Sequence, residues 1–241
     1  MPTSTLSVPT PSLTAQHLES IAQVDSAQWN AVAGNAQPFV RHEFLLALEE
    51  SGCASPRQGW TPSHLLLREN GTAIAALPLY VKTHSRGEFV FDFSWANAYH
   101  HRGLQYYPKL VTVVPFTPVT GPRLLIADDS RRSQLTSALI RSALDLVKAL
   151  GLSTWHVLFA TPAELGALGQ AGLVLRNDCQ FHWHNRGYSS FEEFLGTFTA
   201  EKRKKVRRER RRVAEAGIRF ETMWADAIDA VSWQTIYGFY A

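Results

Sequence analysis

The sequence predicts an α/β protein in which a mixed sheet is flanked by helices, and three observations support this fold class. Asn70-Gly71 separates two apolar runs, and this dipeptide is a strong signal for a two-residue β-hairpin turn. From Leu135 to Leu150 apolar residues recur every three or four positions, which is the spacing of one helix face, and Gly151 follows. Strand-like and helix-like segments then alternate, which indicates strands packed against helices.

The predicted elements begin with a short strand and two helices. The strand covers His17 to Val24, and Asp25 with Ser26 predicts the cap of a brief helix that ends at Gly34. A second helix is predicted from Arg41 to Glu50, because its apolar residues share one face.

A three-strand meander follows. The segments His64 to Arg68 and Ala73 to Lys82 flank the hairpin turn, and Val119 to Ala127 is the third strand. Pro78 cannot donate a backbone hydrogen bond, so we expect an edge or a bulge there.

The second half of the chain alternates predicted helices and strands. Asp129 and Ser130 predict the cap of the long helix that contains Leu135. The later predicted elements are a buried strand from Thr154 to Phe159, a helix from Pro162 to Ala171, a strand from Leu173 to Trp183, a helix from Phe191 to Ala216, a strand from Ile218 to Met223 and a helix from Asp229.

Composition indicates a globular protein of the cytoplasm. The 241 residues are 45% hydrophobic, which is enough for a sizeable core. Cys53 and Cys179 are far apart and form no CxxC pair, which fits a reducing compartment and argues against a disulfide scaffold. Residues 1–16 are rich in Ser, Thr and Pro and predict a disordered tail rather than a secretory signal. No apolar run is long enough for a transmembrane segment.

The positive charge is concentrated in one segment, Lys202 to Arg212. It holds nine basic residues and one acidic residue, a local charge of +8 in a chain whose formal charge is +3, so the remainder carries −5. A solvated charged helix is one interpretation, but this density exceeds what solubility needs. The alternatives are contact with tRNA phosphates, with an anionic membrane face or with a pyrophosphate-bearing substrate.

An aromatic-rich segment from Gly87 to Pro122 follows no single repeating period, which favours the wall of a site over simple core packing. A long loop that covers one end of the sheet is the alternative. Four aromatic residues are candidate substrate-binding residues: Trp95, Tyr99, Tyr106 and Tyr107, with a sugar expected to stack on Trp95 or Tyr99. Three cations are candidates for clamping a diphosphate: Lys82, Lys109 and Arg123.

Candidate general bases in the chain are few. Asp92 is the first choice and His100 the second, because both lie in the aromatic segment; His156 lies in a predicted strand and is expected to be a core residue. His182 and His184 would share one strand face, but no third ligand is evident nearby, so no metal site is predicted.

Several long motifs resemble those of the bacterial FemAB-like, GNAT-related N-acyltransferases, and the predicted element order is also that of the GNAT fold. The motifs are PFVRHEFLLALEESG (38–52), PLYVKTHSRGEFVFDFSWANAYHHRGLQYYPKL (78–110), PFTPVTGPRLL (115–125), QFHWHNRGY (180–188) and FLGTFTAEKRKKVRRER (194–210). The resemblance implies a first GNAT-like domain at 17–188, a basic connecting helix at 189–217 and the beginning of a second GNAT-like domain at 218–241. The chain is therefore expected to be a piece of a longer protein.

The same resemblance implies a function. It is transfer of an acyl or aminoacyl group to an amine on a large anionic acceptor such as a cell-wall precursor, with acyl-CoA or aminoacyl-tRNA as donor. Arg203 and Lys204 would then contact substrate phosphate. The alternative is a non-catalytic GNAT-like module that binds a glycan precursor or nucleic acid.

One departure from the GNAT pattern concerns the donor. GNAT enzymes bind the pyrophosphate of acetyl-CoA in a glycine-rich loop at a helix N-terminus. The corresponding junction, GPRLLIADDSRRSQL, has no glycine pair and contains Asp128 and Asp129, which would repel phosphate. We therefore expect acetyl-CoA not to bind there in the usual way.

Overall fold

The computed structural model describes residues 13–179 and 181–240, and the chain divides into two compact units. The first ends at Asn177 and the second begins at Asp178. The first unit contains all the described strands: β1 (Leu13–Leu18), β2 (Trp60–Pro62), β3 (His64–Glu69), β4 (Thr72–Leu77), β5 (Tyr80–Lys82), β6 (Lys109–Thr112), β7 (Leu125–Ile126) and β8 (Trp155–Val157).

Five of the described helices belong to this unit: α1 (Ser26–Ala33), α2 (His42–Glu50), α3 (Phe93–His101), α4 (Arg132–Ala149) and α5 (Pro162–Gln170). The starts of α1 and α5 follow from local sequence. Asp25 accepts from the first free backbone N–H groups of α1, and Thr161 with Glu164 forms a capping box at α5.

The strands form two four-stranded sheets. The first has the order β1-β3-β4-β7 and is antiparallel throughout; the second has the order β2-β5-β6-β8, and its last pair is parallel. The predicted fold class, mixed α/β with helices flanking the strands, is confirmed. The predicted strand from Ala73 to Lys82 is divided, because Pro78 separates β4 in the first sheet from β5 in the second.

The first sheet is covered by helices on both faces. Leu66 and its neighbours on one face pack with Trp29 of α1 and Leu45 of α2. Leu65 and Leu67 point to the other face and pack with Leu135, Leu139 and other residues of α4. This alternation is the period-2 pattern of a strand, and it makes a three-layer arrangement.

The second sheet has its own apolar core. Trp60, Tyr80, Val111 and Leu158 are buried together. Because β5 and β6 are adjacent in this sheet, the ends of these strands bring Lys82 next to Lys109 in register. The sheet therefore positions two lysines of the candidate site.

Several boundaries differ from the predicted ones. β1 begins at Leu13, so residues 13–16 are not part of a tail; residues 1–12 lie outside the described residues. The strand expected from Val119 shortens to Leu125–Ile126, where β4 provides a partner. Among the described residues of 173–183 there is no strand, because this exposed segment pairs with no neighbouring strand; Gln180 lies outside the described residues. Helix α3 was not predicted.

The second unit contains α6 (Phe191–Gly196), α7 (Ala200–Glu215) and α8 (Ala230–Tyr240). The single helix predicted from Phe191 to Ala216 is interrupted, because the Thr199 side chain accepts from the N–H of Lys202 and begins a new helix. Residues 218–223 form no strand, whereas the helix predicted from Asp229 is present as α8 and Asp229 caps it. Of the helices in the described ranges, none combines the length and hydropathy needed to cross a membrane.

Candidate functional site

A buried group of charged and phenolic side chains lies where α3 meets β6. Asp92 immediately precedes α3 and is 2% exposed, Glu88 is 1% exposed, and Lys109 at the start of β6 is fully buried. The Lys109 ammonium donates to Glu88 Oε2 at 2.8 Å and to Asp92 Oδ2. The hydroxyls of Tyr106 and Tyr107 donate to Asp92 Oδ2 and Oδ1, each at 2.8 Å. We call these five residues the Lys109 cluster.

The cluster makes Asp92 an ionised acceptor. Burial would raise the pKa of Asp92, but the hydrogen bond and charge of Lys109 and the two tyrosine hydroxyls outweigh it, so the pKa lies below its usual range. Both carboxylate oxygens are already bound to donors. A general base needs an accessible lone pair and a pKa nearer neutrality, whereas Asp92 is buried and its pKa is lowered.

Glu88 differs from Asp92 although both contact Lys109. Burial raises the pKa of Glu88 above its usual range, against the lowering effect of Lys109. Its Oε1 is buried and has no hydrogen-bond partner among the described residues. Glu88 was not among the site residues predicted from the sequence. The signal that could have found it is that Glu88 and Asp92 are the only acidic residues between residues 83 and 127.

Gly87 allows the chain to enter this cluster. Its φ of +80° favours glycine, and a Cβ atom there would lie 2.6 Å from the Phe116 ring. The close approach of Phe116 therefore fixes the backbone just before Glu88.

Lys82 is buried beside the cluster. Its ammonium lies 3.5 Å from the centroid of the Trp60 ring and donates to the Arg86 carbonyl at 3.1 Å. Burial lowers the pKa of Lys82 to about 7; Glu88 and Asp92 oppose the shift and Lys109 adds to it.

His156 reaches the other side of the cluster. Its Nε2 lies 3.3 Å from the Tyr106 hydroxyl. Because the Tyr106 hydroxyl donates its hydrogen bond to Asp92, its contact with His156 requires the Nε2-protonated tautomer of the histidine. Burial, with the charge of Lys109, lowers the pKa of His156 to about 4, so the ring is neutral at pH 7.

A shallow depression on α3 lies next to these buried groups. Ser94, Trp95, Ala98 and Tyr99 line it, and its volume is about 200 Å³. The Tyr99 ring contacts the ring of Tyr106 with centroids 5.2 Å apart. The structure thus places Asp92, Tyr106, Tyr107 and Lys109 in one cluster with Lys82 beside it, and it places Tyr99 against Tyr106 with Trp95 on the same helix.

Two other expected residues lie differently. Arg123 is buried, and its guanidinium donates to the carbonyls of Leu158 at 2.9 Å and Val119 at 2.6 Å. It holds two loops together and is not placed to clamp a diphosphate; burial lowers its pKa to about 10. His100 is exposed on α3, where its ring contacts that of His101.

The start of α4 is occupied by acidic side chains. Asp128 Oδ1 accepts from the N–H of Ser130 at 2.9 Å. Arg131 makes two hydrogen bonds to Glu69, at 2.8 and 2.9 Å, and Arg132 pairs with Asp129. The cations at this helix start are therefore already paired with carboxylates.

The second unit presents a cationic face on α7. Five basic residues and Ala200 line an open surface depression of about 440 Å³, and the basic residues recur along one side of the helix: Arg203, Lys204, Arg207, Arg208 and Arg211. Arg207 also pairs with Glu192 of α6. We call these five residues the α7 cationic face.

Within residues 13–179 and 181–240, no group of three or more His, Cys, Asp or Glu side chains could hold a metal ion. His182 and His184 have stacked rings with centroids 6.3 Å apart, and they lie outside any strand.

The buried cluster lies within a stretch of the chain that matches a known protein family. A FemAB-like family model, described as peptidoglycan biosynthesis/recognition, matches residues 20–241. The chain belongs to the FemAB-like family. One similar solved structure is the aminoglycoside 6'-N-acetyltransferase AAC(6')-Ih from Acinetobacter baumannii, at 16% identity and a TM-score of 0.41, covering 73% of this chain and 100% of that chain. No curated protein sequence matches the chain.

We predict that this FemAB-like chain binds acetyl-CoA only weakly and not at the start of α4. The Asp128 carboxylate already accepts a backbone N–H there and repels phosphate. Isothermal titration with acetyl-CoA tests this, with Asp145→Asn on the same helix as a control. Micromolar or tighter binding that disappears when residues 127–131 are altered would contradict it.

We also predict that Lys82 makes stability depend on pH. Its pKa is lower in the folded protein than the 10.5 of a free lysine, so the unfolded chain binds more protons between about pH 7 and 10.5. The contribution of Lys82 to the free energy of unfolding therefore rises as the pH increases from about 7 to 10.5. From pH 6 to pH 9 the free energy of unfolding of wild type should therefore increase relative to that of Lys82→Met.

Urea unfolding at pH 6, 7.5 and 9 measures this difference. Lys148→Met, which changes an exposed lysine on α4, is the control and should show a constant difference. A constant difference for Lys82→Met as well would show that Lys82 is solvated in the folded protein.

Proposed function

We propose that this chain is part of an N-acyltransferase that transfers an acyl or aminoacyl group to an amine on a large anionic acceptor, such as a cell-wall precursor. The observation that most supports an anionic acceptor or donor is the α7 cationic face. Membership of the FemAB-like family supports acyl transfer and the cell-wall connection. The two units supply different parts of this proposal.

The α7 cationic face fits phosphate in its chemistry and its spacing. Arg207 and Arg211 pair with Glu192 and Glu215. Lys204 and Arg208 are exposed and Arg203 is half-buried, so these three charges are available to a ligand. Guanidinium groups bind phosphate oxygens through two parallel hydrogen bonds. A diphosphate or a segment of tRNA backbone would replace the mutual repulsion of these cations with attraction.

The α3 depression fits the neutral part of a glycan or peptide. Trp95 presents a half-exposed aromatic face on which a sugar ring can stack, and Tyr99 forms the adjoining wall. The Lys109 cluster holds this wall in position through Tyr106. A rigid wall lowers the entropic cost of positioning an amine against an activated carbonyl, which is most of what this reaction requires of a protein.

The acceptor ammonium must lose a proton to an accessible base before its nitrogen can attack the carbonyl. Of the bases expected from the sequence, Asp92 is buried and bound by three donors, whereas His100 is exposed on α3. We therefore propose His100 as the base and Asp92 as the residue that positions α3. Replacement of His100 by Ala should lower the maximal rate at neutral pH, and replacement by Gln should not restore it.

The test measures both binding and transfer. The protein is incubated with labelled aminoacyl-tRNA or acetyl-CoA and with a nucleotide-linked muropeptide precursor, and label on the precursor amine is counted. We expect transfer by wild type, and tRNA or precursor binding that weakens steeply with salt. The variant Arg203→Gln, Lys204→Gln, Arg208→Gln should reduce the log–log salt slope by roughly one for each lost phosphate contact.

A matched control removes the same charge from the same helix. Lys202, Lys205 and Arg212 carry the same charge on α7 but lie outside the α7 cationic face, and their change to Gln should leave the salt slope near that of wild type. Equal effects of the two triple variants would show that α7 is only a solvated charged helix. Binding without transfer from either donor would favour the alternative, a non-catalytic module for a glycan precursor or nucleic acid.

A further inference from the structure

The segment that leads into α3 buries its charges and exposes its aromatic rings. Glu88 and Asp92 point into the protein, and Val90 packs partly against the core. The alternate residues Phe89, Phe91 and Phe93 point to solvent, with 54%, 68% and 59% of their surface exposed. This is the reverse of the usual distribution, in which carboxylates are solvated and phenyl rings are buried.

The reversed arrangement is held by specific structure. Lys109 pairs with both carboxylates and so fixes the inward side of the segment. Phe89 has a φ of +58°, a conformation that is costly for a bulky residue. The Phe91 and Phe93 rings stack on each other with centroids 5.9 Å apart. An exposed arrangement that needs a buried ion pair and a strained backbone to persist points to a ligand for the exposed side.

The charges around these rings indicate what the ligand is. Between residues 84 and 104 the only acidic residues are Glu88 and Asp92, and both are buried. The exposed ionisable side chains of this segment include Arg86 and Arg102, with His100 and His101 near the end of α3. Helix α3 itself has no buried residue, so no side of it is fully covered by the first unit.

We propose that Phe89, Phe91 and Phe93, which we call the phenylalanine patch, insert into the interfacial region of a membrane that contains anionic lipids. Aromatic rings partition into the headgroup region of a bilayer, and nearby cations are attracted to its negative surface. Arg86 and Arg102 would lie at the level of the lipid phosphates. This contact is independent of the transfer reaction and of the α7 cationic face.

The test is sedimentation of the full chain with vesicles of two compositions. We expect binding to vesicles of phosphatidylcholine with 30% phosphatidylglycerol, and weaker binding to phosphatidylcholine alone. Phe91→Ser with Phe93→Ser should weaken binding by at least tenfold, because each ring contributes its apolar area to insertion. Arg86→Gln with Arg102→Gln should remove the preference for anionic lipid while leaving the weaker neutral-lipid binding.

Matched variants keep the result interpretable. Phe220→Ser with Phe239→Ser removes two rings that are at least as exposed in the second unit, and it should bind vesicles as wild type does. Phe91→Trp with Phe93→Trp should retain binding, which separates loss of insertion from loss of folding.

Three outcomes would overturn the proposal. One is wild-type failure to bind the anionic vesicles. A second is vesicle binding that survives the Phe91→Ser, Phe93→Ser change but is lost in Arg203→Gln, Lys204→Gln, Arg208→Gln, since the membrane contact would then belong to α7. The third is a wild-type dimer in solution that the phenylalanine patch variant converts to a monomer, which would assign the patch to a second copy of the chain.

Discussion

The ion pairs of Lys109 with Glu88 and Asp92 are the interaction on which the candidate site depends. They are buried at the start of β6, where a single unpaired charge is expensive. Removing one partner of such a pair typically costs about 3–5 kcal/mol. Because Asp92 immediately precedes α3, the pairs also fix where that helix begins, and through Tyr106 they fix the wall formed by Tyr99.

The same constraint links the two features of α3 that face solvent. With Glu88 and Asp92 held inward, Phe89, Phe91 and Phe93 are left exposed to solvent. The helix that follows then presents Trp95 and Tyr99 around a shallow depression. A buried charge network thus anchors this segment to the protein, as an apolar core anchors an ordinary helix.

Where local sequence chemistry decides the structure, the prediction from sequence is accurate. The Asn70-Gly71 hairpin, the Asp25 cap and the amphipathic α4 each depend on neighbouring residues, and each is present. The family resemblance, drawn from long motifs, is confirmed by the family match. The irregularity predicted at Pro78 is present. The chain passes there from one sheet to the other, and this depends on tertiary pairing, which the local sequence does not show.

Features decided by tertiary contacts were missed. Helix α3 has three aromatic residues and no apolar stripe, so its periodicity gives no helix signal, and its position depends on Lys109, which comes eight residues after it ends. Glu88 gained its role only from proximity to that lysine. Arg123 suggested a phosphate ligand by its residue type, whereas nearby carbonyls take up its guanidinium donors.

Amide hydrogen exchange of a Lys109→Met variant tests the central claim most directly. Methionine keeps the length of the side chain but removes the charge, which leaves Glu88 and Asp92 without their cation. If the Lys109 cluster anchors α3, amides of residues 88–101 should lose protection while those of β3 and β4, which pack on α1, α2 and α4, keep theirs. Unchanged protection of residues 88–101, with the loss spread evenly over the first unit or absent, would contradict the account.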